Sequence, residues 1–204
     1  MLINKYEKIL IGITGNIASG KSLAASMFNP SYFEKIDSDK IAERILITDQ
    51  KVRSLLLNLL GNEIMGSDNR LNKAKLSSLA FANKGIMKRL EDIIHPLVFV
   101  EIENILKYST RKFALIESAI IFENGFERLF DRIITVFAPF DIRINRLIER
   151  SKIDYSEAKR RIMFQMDEYI KILLSDFVID NSGQREYLKR QVKNIEYKIQ
   201  NIYR

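Results

Sequence analysis

Residues Gly15 to Ser22, GNIASGKS, run glycine, four residues, glycine, lysine, serine, which is the spacing of a phosphate-binding loop. Such a loop turns several backbone N–H groups inward around phosphate oxygens. It therefore needs glycine where a side chain would collide, and a helix N-terminus to favour negative charge. Gly15 and Gly20 meet the first need, and Asn16, Ile17, Ala18 and Ser19 supply the backbone between them. Lys21 would reach the β and γ phosphates of a nucleoside triphosphate as a mobile point charge, and Ser22 would offer its hydroxyl to magnesium. An ordinary glycine-containing turn is the alternative. The apolar run before the loop and the helix pattern after it favour the phosphate loop.

Three further groups are candidates for chemistry. Asp37 and Asp39 stand two apart, so on an extended segment both carboxylates project to one side of a strand end. Phosphoryl transfer to a hydroxyl needs a carboxylate to orient it or take its proton, and magnesium needs oxygen ligands. The alternative is that Asp39 only caps a helix beginning near Lys40; the phosphate loop just upstream favours a catalytic role for this pair. Arg143, Arg146 and Arg150 lie on one expected helix, Arg146 and Arg150 on the same face, where they would clamp phosphates or simply be solvated. His95 is the one histidine. In an apolar helical stretch it reads as a structural residue with no acid or base role.

The elements that must position these residues alternate between strand and helix. Lys8–Thr14 reads as a strand buried on both faces. Residues 20–28 read as a helix with Leu23, Met27 and Phe28 on one face, stopped by Pro30. Ile36 marks a second short strand. Two or three helices fill residues 40–108, with Pro96 expected to kink or divide the last. Strand character returns at Lys112–Ile116 and Arg132–Phe137, the latter followed by a helix to Arg150. Residues 151–176 form a charged helical stretch opened by Asp154-x-x-Glu157, a capping-box pattern. Phe177–Ile179 is a last strand, and 184–203 a closing amphipathic helix. Strands separated by helices, without hairpin signals, predict an α/β fold, a parallel sheet flanked by helices.

Composition bounds the answer. At 204 residues, with 47% hydrophobic, the chain can bury a sizeable core, and disorder is excluded. It has no cysteine, so no disulfide or thiolate metal site exists, and a reducing cytoplasm suits it. The first apolar run, Ile9–Thr14, is too short for a signal-peptide core or a membrane span. The net charge is +7, with 19 basic against 16 acidic residues in 1–140 and 14 against 10 in 141–204. That excess suits a solvated surface or a polyanionic nucleotide. Without zinc-finger, aromatic ribonucleoprotein or repeat patterns, neither a nucleic-acid nor a membrane partner is expected.

Taken in order, several separated blocks resemble the dephospho-coenzyme A kinase family. GITGNIASGKS at 12–22 is similar to its first strand and phosphate loop, and IDSD at 36–39 to its acidic motif. IIHP at 93–96 is similar to its histidine-proline signature, and IIFENG at 120–125 to its phenylalanine-glutamate segment. RLIER at 146–150, Gln165 and FVIDNSG at 177–183 resemble its lid and final strand. The resemblance implies a P-loop kinase core at about 1–40, 110–150 and 176–204. It implies a helical coenzyme-binding insertion at about 41–109 and a helical lid at about 151–175. It also implies the reaction: ATP, with Mg2+, phosphorylates the ribose 3′-hydroxyl of dephospho-CoA, giving CoA and ADP. By position, Asp39 activates that hydroxyl and Thr14 lies at the site. Arg146 is the lid-side phosphate contact, Arg150 joins it, and Asn181 lies near the adenine of ATP. His95 and Glu123 fall on the substrate side. A monomer is expected.

Departures from the family pattern are visible. Asn16 and Ala18 stand where it has loop glycines, Ser38 where it has alanine, Ala119 where it has proline, Ser151 where it has aspartate, and Glu168 and Tyr169 also differ. Another nucleoside or nucleotide kinase is the near alternative. A guanine-nucleotide switch is the distant one, since Asn72-Lys73-Ala74-Lys75 lacks the aspartate of a base-reading motif.

Overall fold

The computed structural model describes residues 7–68 and 70–204. The first six residues of the N-terminal segment lie outside them. The described chain forms two compact units, one of residues up to Asp37 together with Tyr108–Arg204, the other Ser38–Lys107.

The first unit is a five-stranded parallel sheet in the order β2-β3-β1-β4-β5. Its strands are β1 (Ile9–Thr14), β2 (Phe33–Asp37), β3 (Phe113–Glu117), β4 (Arg132–Phe137) and β5 (Phe177–Asp180). The central strands are buried along their length because helices cover both faces, as parallel sheets require. On one face α1 (Lys21–Ser26) and α9 (Arg185–Ile202) enclose Ile11, Ile13, Leu115, Ile134 and Val136. α9 contributes Leu188, Val192, Ile195 and Ile199 at helical spacing, each worth about 1.5–3 kcal/mol of transfer on full burial. α6 (Phe140–Ser151) and α7 (Tyr155–Met163) share a smaller core of Ile144, Leu147, Ala158 and Ile162. α8 (Glu168–Leu174) follows. Asp154 caps α7 by accepting from the Glu157 N–H at 2.8 Å, as its spacing predicts.

The second unit is helical: α2 (Ser38–Thr48), α3 (Gln50–Leu60), α4 (Lys73–Ala82) and α5, which spans Lys84–Tyr108. Asp49 and Asn72 cap α3 and α4. Pro96 does not divide the segment, because α5 runs through it as one helix. Ile94, Val98, Ile102 and Leu106 form a buried stripe on both sides of the proline, so packing keeps the helix continuous despite the missing N–H.

Two other expectations are corrected. α1 has only six residues; it buries Lys21, Ala24 and Ala25, while Leu23 is exposed and Phe28 lies beyond its end. Small alanines let this short helix sit close to the sheet. The extended Asp37-x-Asp39 segment is also replaced. β2 ends at Asp37 and α2 begins at Ser38, which puts Asp39 in the first helical turn. Asp39 there places its charge at the positive end of the helix dipole.

Candidate active site

The phosphate loop joins the C-terminal end of β1 to α1, the position where open parallel sheets bind ligands. Its conformation explains its glycines. Gly15 has φ +153°, and a Cβ there would lie 2.4 Å from the Val136 carbonyl oxygen; Gly20 has φ +89°, and its Cβ would lie 2.0 Å from Asn181 Nδ2. Ala18, at φ +63°, adopts the left-handed conformation without glycine, at a cost of about 1–2 kcal/mol.

Side chains from distant elements grip this loop. Asn181, buried just after β5, donates through Nδ2 to the Ser19 carbonyl at 2.7 Å. Arg146 on α6 donates to the carbonyls of Asn181 at 2.9 Å, Ala18 at 3.4 Å and Ser19 at 3.5 Å. On the opposite flank the Ile17 N–H donates to Gln165 Oε1 at 2.6 Å, and Asn16 Nδ2 to the Met166 carbonyl at 2.9 Å. Asn16, where the family has glycine, thus ties the loop to the segment between α7 and α8. Thr14 Oγ1, Asn16 Oδ1 and Ser19 Oγ are buried without a hydrogen-bond partner.

The reactive end is built by Lys21, Ser22 and a residue the sequence reading did not single out, Glu117. The Ser22 hydroxyl donates to Glu117 Oε1, and Lys21 Nζ lies 3.5 Å from the same oxygen. Lys21 and Glu117 are both nearly buried. Glu117 closes β3 beside Asp37, its register partner at the end of β2. The signal was present in the sequence, a carboxylate ending the apolar run FALIE. A serine hydroxyl and a carboxylate side by side suit magnesium, a hard cation that takes one or two protein oxygens and completes its shell with water and phosphate. Among the described residues no cluster of three or more acidic, histidine or cysteine side chains exists to cage a metal.

Around this end are three buried ion pairs. Besides Lys21–Glu117, Arg143 Nη2 lies 2.9 Å from Glu168 Oε2 and Lys171 Nζ lies 2.6 Å from Glu123 Oε1. Burial pushes the Glu168 carboxyl up, against the opposing pull of Arg143. The departures Glu168 and Tyr169 thus have partners, since Tyr169 also tilts against Phe137 with ring centroids 6.1 Å apart. Arg143, expected at a solvated or phosphate-clamping surface, is buried, while Arg150 is exposed at the end of α6. Nothing in the sequence marked Lys171, one lysine in a charged stretch.

The remaining candidates belong to the helical unit. Asp39 is exposed in the first turn of α2. His95 is half-buried in α5, its ring centroid 6.4 Å from that of Phe99. Burial lowers its pKa below the usual 6.5.

A parallel sheet whose first strand opens into a phosphate loop, with lysine and serine turned to a carboxylate on the adjacent strand, defines a P-loop kinase. A Thermus thermophilus protein of known structure shares this fold at a TM-score of 0.80 and 30% identity, covering 94% of this chain and 97% of that one. The chain belongs to the dephospho-CoA kinase family, whose sequence model matches residues 9–186. A dephospho-CoA kinase from Fusobacterium nucleatum is 31% identical over 91% of this chain and 95% of its own length. The structure of a dephospho-CoA kinase from Campylobacter jejuni, 25% identical, superposes at a TM-score of 0.65 over 96% of this chain and 98% of that one. The family catalyses the last step of coenzyme A biosynthesis, and this chain is a kinase that uses ATP.

Proposed function

We propose that the chain transfers the γ-phosphoryl group of ATP to the ribose 3′-hydroxyl of dephospho-CoA. The observation that carries this reading is the meeting of Lys21, Ser22 and Glu117 at the phosphate loop of a chain in this family. The loop amides of residues 15–22 hold the polyphosphate at the N-terminus of α1. Lys21 neutralises charge on the transferring group, and Arg146 and Asn181 fix the loop that presents it. Arg150 adds a positive charge at the end of the same helix as Arg146.

Asp39, exposed at the start of α2, is proposed to take the proton of the attacking hydroxyl. The new O–P bond forms as the bond from the γ phosphorus to the β-phosphate oxygen breaks, and ADP leaves. Ser22 and Glu117 are the residues that would hold magnesium, with Asp39 as a further oxygen donor. When bound, the ion withdraws charge from the phosphate oxygens. Thr14, His95 and Glu123 are assigned to the acceptor substrate, residues 41–109 to holding the coenzyme, and residues 151–175 to a lid. Asn181 follows β5 on the adenine side. Without cysteine, the chain suits the reducing cytoplasm. No helix among the described residues is long and apolar enough to cross a membrane.

The test is incubation with Mg-ATP and dephospho-CoA, followed by mass detection. Equal amounts of ADP and CoA are expected. Phosphorylation of nucleosides or nucleoside monophosphates alone would leave the kinase class standing and remove this acceptor.

A further inference from the structure

Lys171 is fully buried, yet it is a lysine. Its ammonium group donates to the Ala119 carbonyl at 2.8 Å and pairs with Glu123 Oε1 at 2.6 Å. Both carboxylate oxygens of Glu123 are buried without a hydrogen bond; Oε1 has the ion pair, and Oε2 has no polar partner. We infer that Lys171 is a positioning residue for the acceptor substrate: it fixes Glu123 so that Oε2 accepts a hydrogen bond from a hydroxyl or amino group of dephospho-CoA. This rests on the proposed contact between Glu123 and that substrate.

A purely structural ion pair explains the geometry poorly, for three reasons. First, α8 is docked without the Lys171 side chain. The Lys171 carbonyl accepts from Thr135 Oγ1 on β4 at 3.3 Å, and Arg143 on α6 holds Glu168. Second, a buried pair of charges is often no more stable than well-packed apolar side chains of similar volume, and burial here pushes the Lys171 pKa down despite Glu123. Third, the charges of Lys21 on α1 and Arg143 on α6 both repel this ammonium. An apolar residue would avoid both the desolvation and the repulsion. What only the cation supplies is a fixed, charged Glu123 with one oxygen left over.

The experiment measures kcat and both KM values, with melting temperatures, for Glu123→Gln, Lys171→Met, Lys171→Arg and the double variant Glu123→Gln/Lys171→Met. Glu123→Gln and Lys171→Met should each raise KM for dephospho-CoA roughly tenfold, the scale of one charged hydrogen bond, with KM for ATP nearly unchanged. Lys171→Arg should restore most of the loss. The double variant should be no worse than Glu123→Gln, because Lys171 acts through that carboxylate. It also removes the unpaired buried charge, so it remains informative if Lys171→Met does not fold. Unchanged KM for dephospho-CoA in Lys171→Met, with a raised value in Glu123→Gln, would overturn the role of Lys171 and leave the Glu123 contact standing. A double variant much worse than Glu123→Gln would also overturn it. A wild-type Glu123→Gln removes the contact and the inference together. Failure of the wild-type protein to turn over dephospho-CoA is a separate result, and it refutes the proposed function itself.

Discussion

The hydroxyl of Ser22, at the start of α1, donates a hydrogen bond to the carboxylate of Glu117 at the end of β3. Because Lys21 Nζ approaches the same oxygen at 3.5 Å, one carboxylate organises both polar side chains at the end of the phosphate loop. Glu117→Gln keeps an acceptor for Ser22 and removes the charge. The expected result is a loss of turnover on the order of 10² and a raised magnesium requirement, with a lower melting temperature because Lys21 loses its buried counter-charge. A magnesium titration at fixed ATP decides it, and a variant with the wild-type midpoint and rate would take Glu117 out of the site.

Asn181→Ala tests the other side of the loop. The substitution removes the 2.7 Å bond to the Ser19 carbonyl and leaves that region to Arg146 alone. A lost buried hydrogen bond of this kind costs about 1–3 kcal/mol, so a melting temperature lower by several degrees is expected together with weaker ATP binding. Calorimetric titration with ATP is the check. A fall in stability with unchanged ATP affinity would show that Asn181 supports the fold without shaping the loop.

Much of this site is legible in the sequence, and the remainder is hidden for identifiable reasons. Gly15 to Ser22 announce themselves because a phosphate cradle tolerates few residue types. The strand Ile9–Thr14 is equally plain, since a strand buried on both faces must be continuously apolar. Leu23 misleads because helical periodicity means little over the six residues of α1. Lys171 and Arg143 are hidden for a different reason: a charged side chain reads as solvated until its partner, distant in sequence, is known. Glu123 and Glu168 are those partners, 48 and 25 residues away. Asp39 falls between these cases. Its chemistry is readable, but its place on a helix instead of a strand end depends on where β2 stops.

His95 gives a pH dependence that can be assigned to one group, because it is the only histidine. Burial is the largest cause of its lowered pKa, with Lys88 also lowering it and Glu91 and Asp92 opposing. The folded protein therefore holds the neutral imidazole below pH 6.5, where the unfolded chain binds a proton. Stability from this source is complete above pH 6.5 and is lost as pH falls through the folded value. Melting curves between pH 7 and 5 should show a decline that His95→Gln reduces, and proton NMR of the single imidazole should titrate below 6.5. A titration at or above 6.5 contradicts the buried neutral histidine.

Asp39→Asn separates catalysis from helix stabilisation. Asp39 is exposed in the first turn of α2, so its charge interacts favourably with the helix dipole, and losing that charge costs only about 0.3–1 kcal/mol. If the carboxylate also accepts the proton of the ribose hydroxyl, asparagine removes that capacity while keeping the side-chain shape. Turnover should then fall by roughly 10² to 10⁴, the usual span of a general-base contribution. The melting temperature should drop by no more than a few degrees, and ATP affinity should persist because the phosphate loop is untouched. Asp37→Asn, at the end of β2, should be the milder change. The measurement is steady-state turnover of dephospho-CoA beside thermal melting and ATP titration for the two variants. Wild-type turnover in Asp39→Asn would reduce Asp39 to a helix-terminal charge, and a larger loss in Asp37→Asn would transfer the base role to the residue that ends the strand.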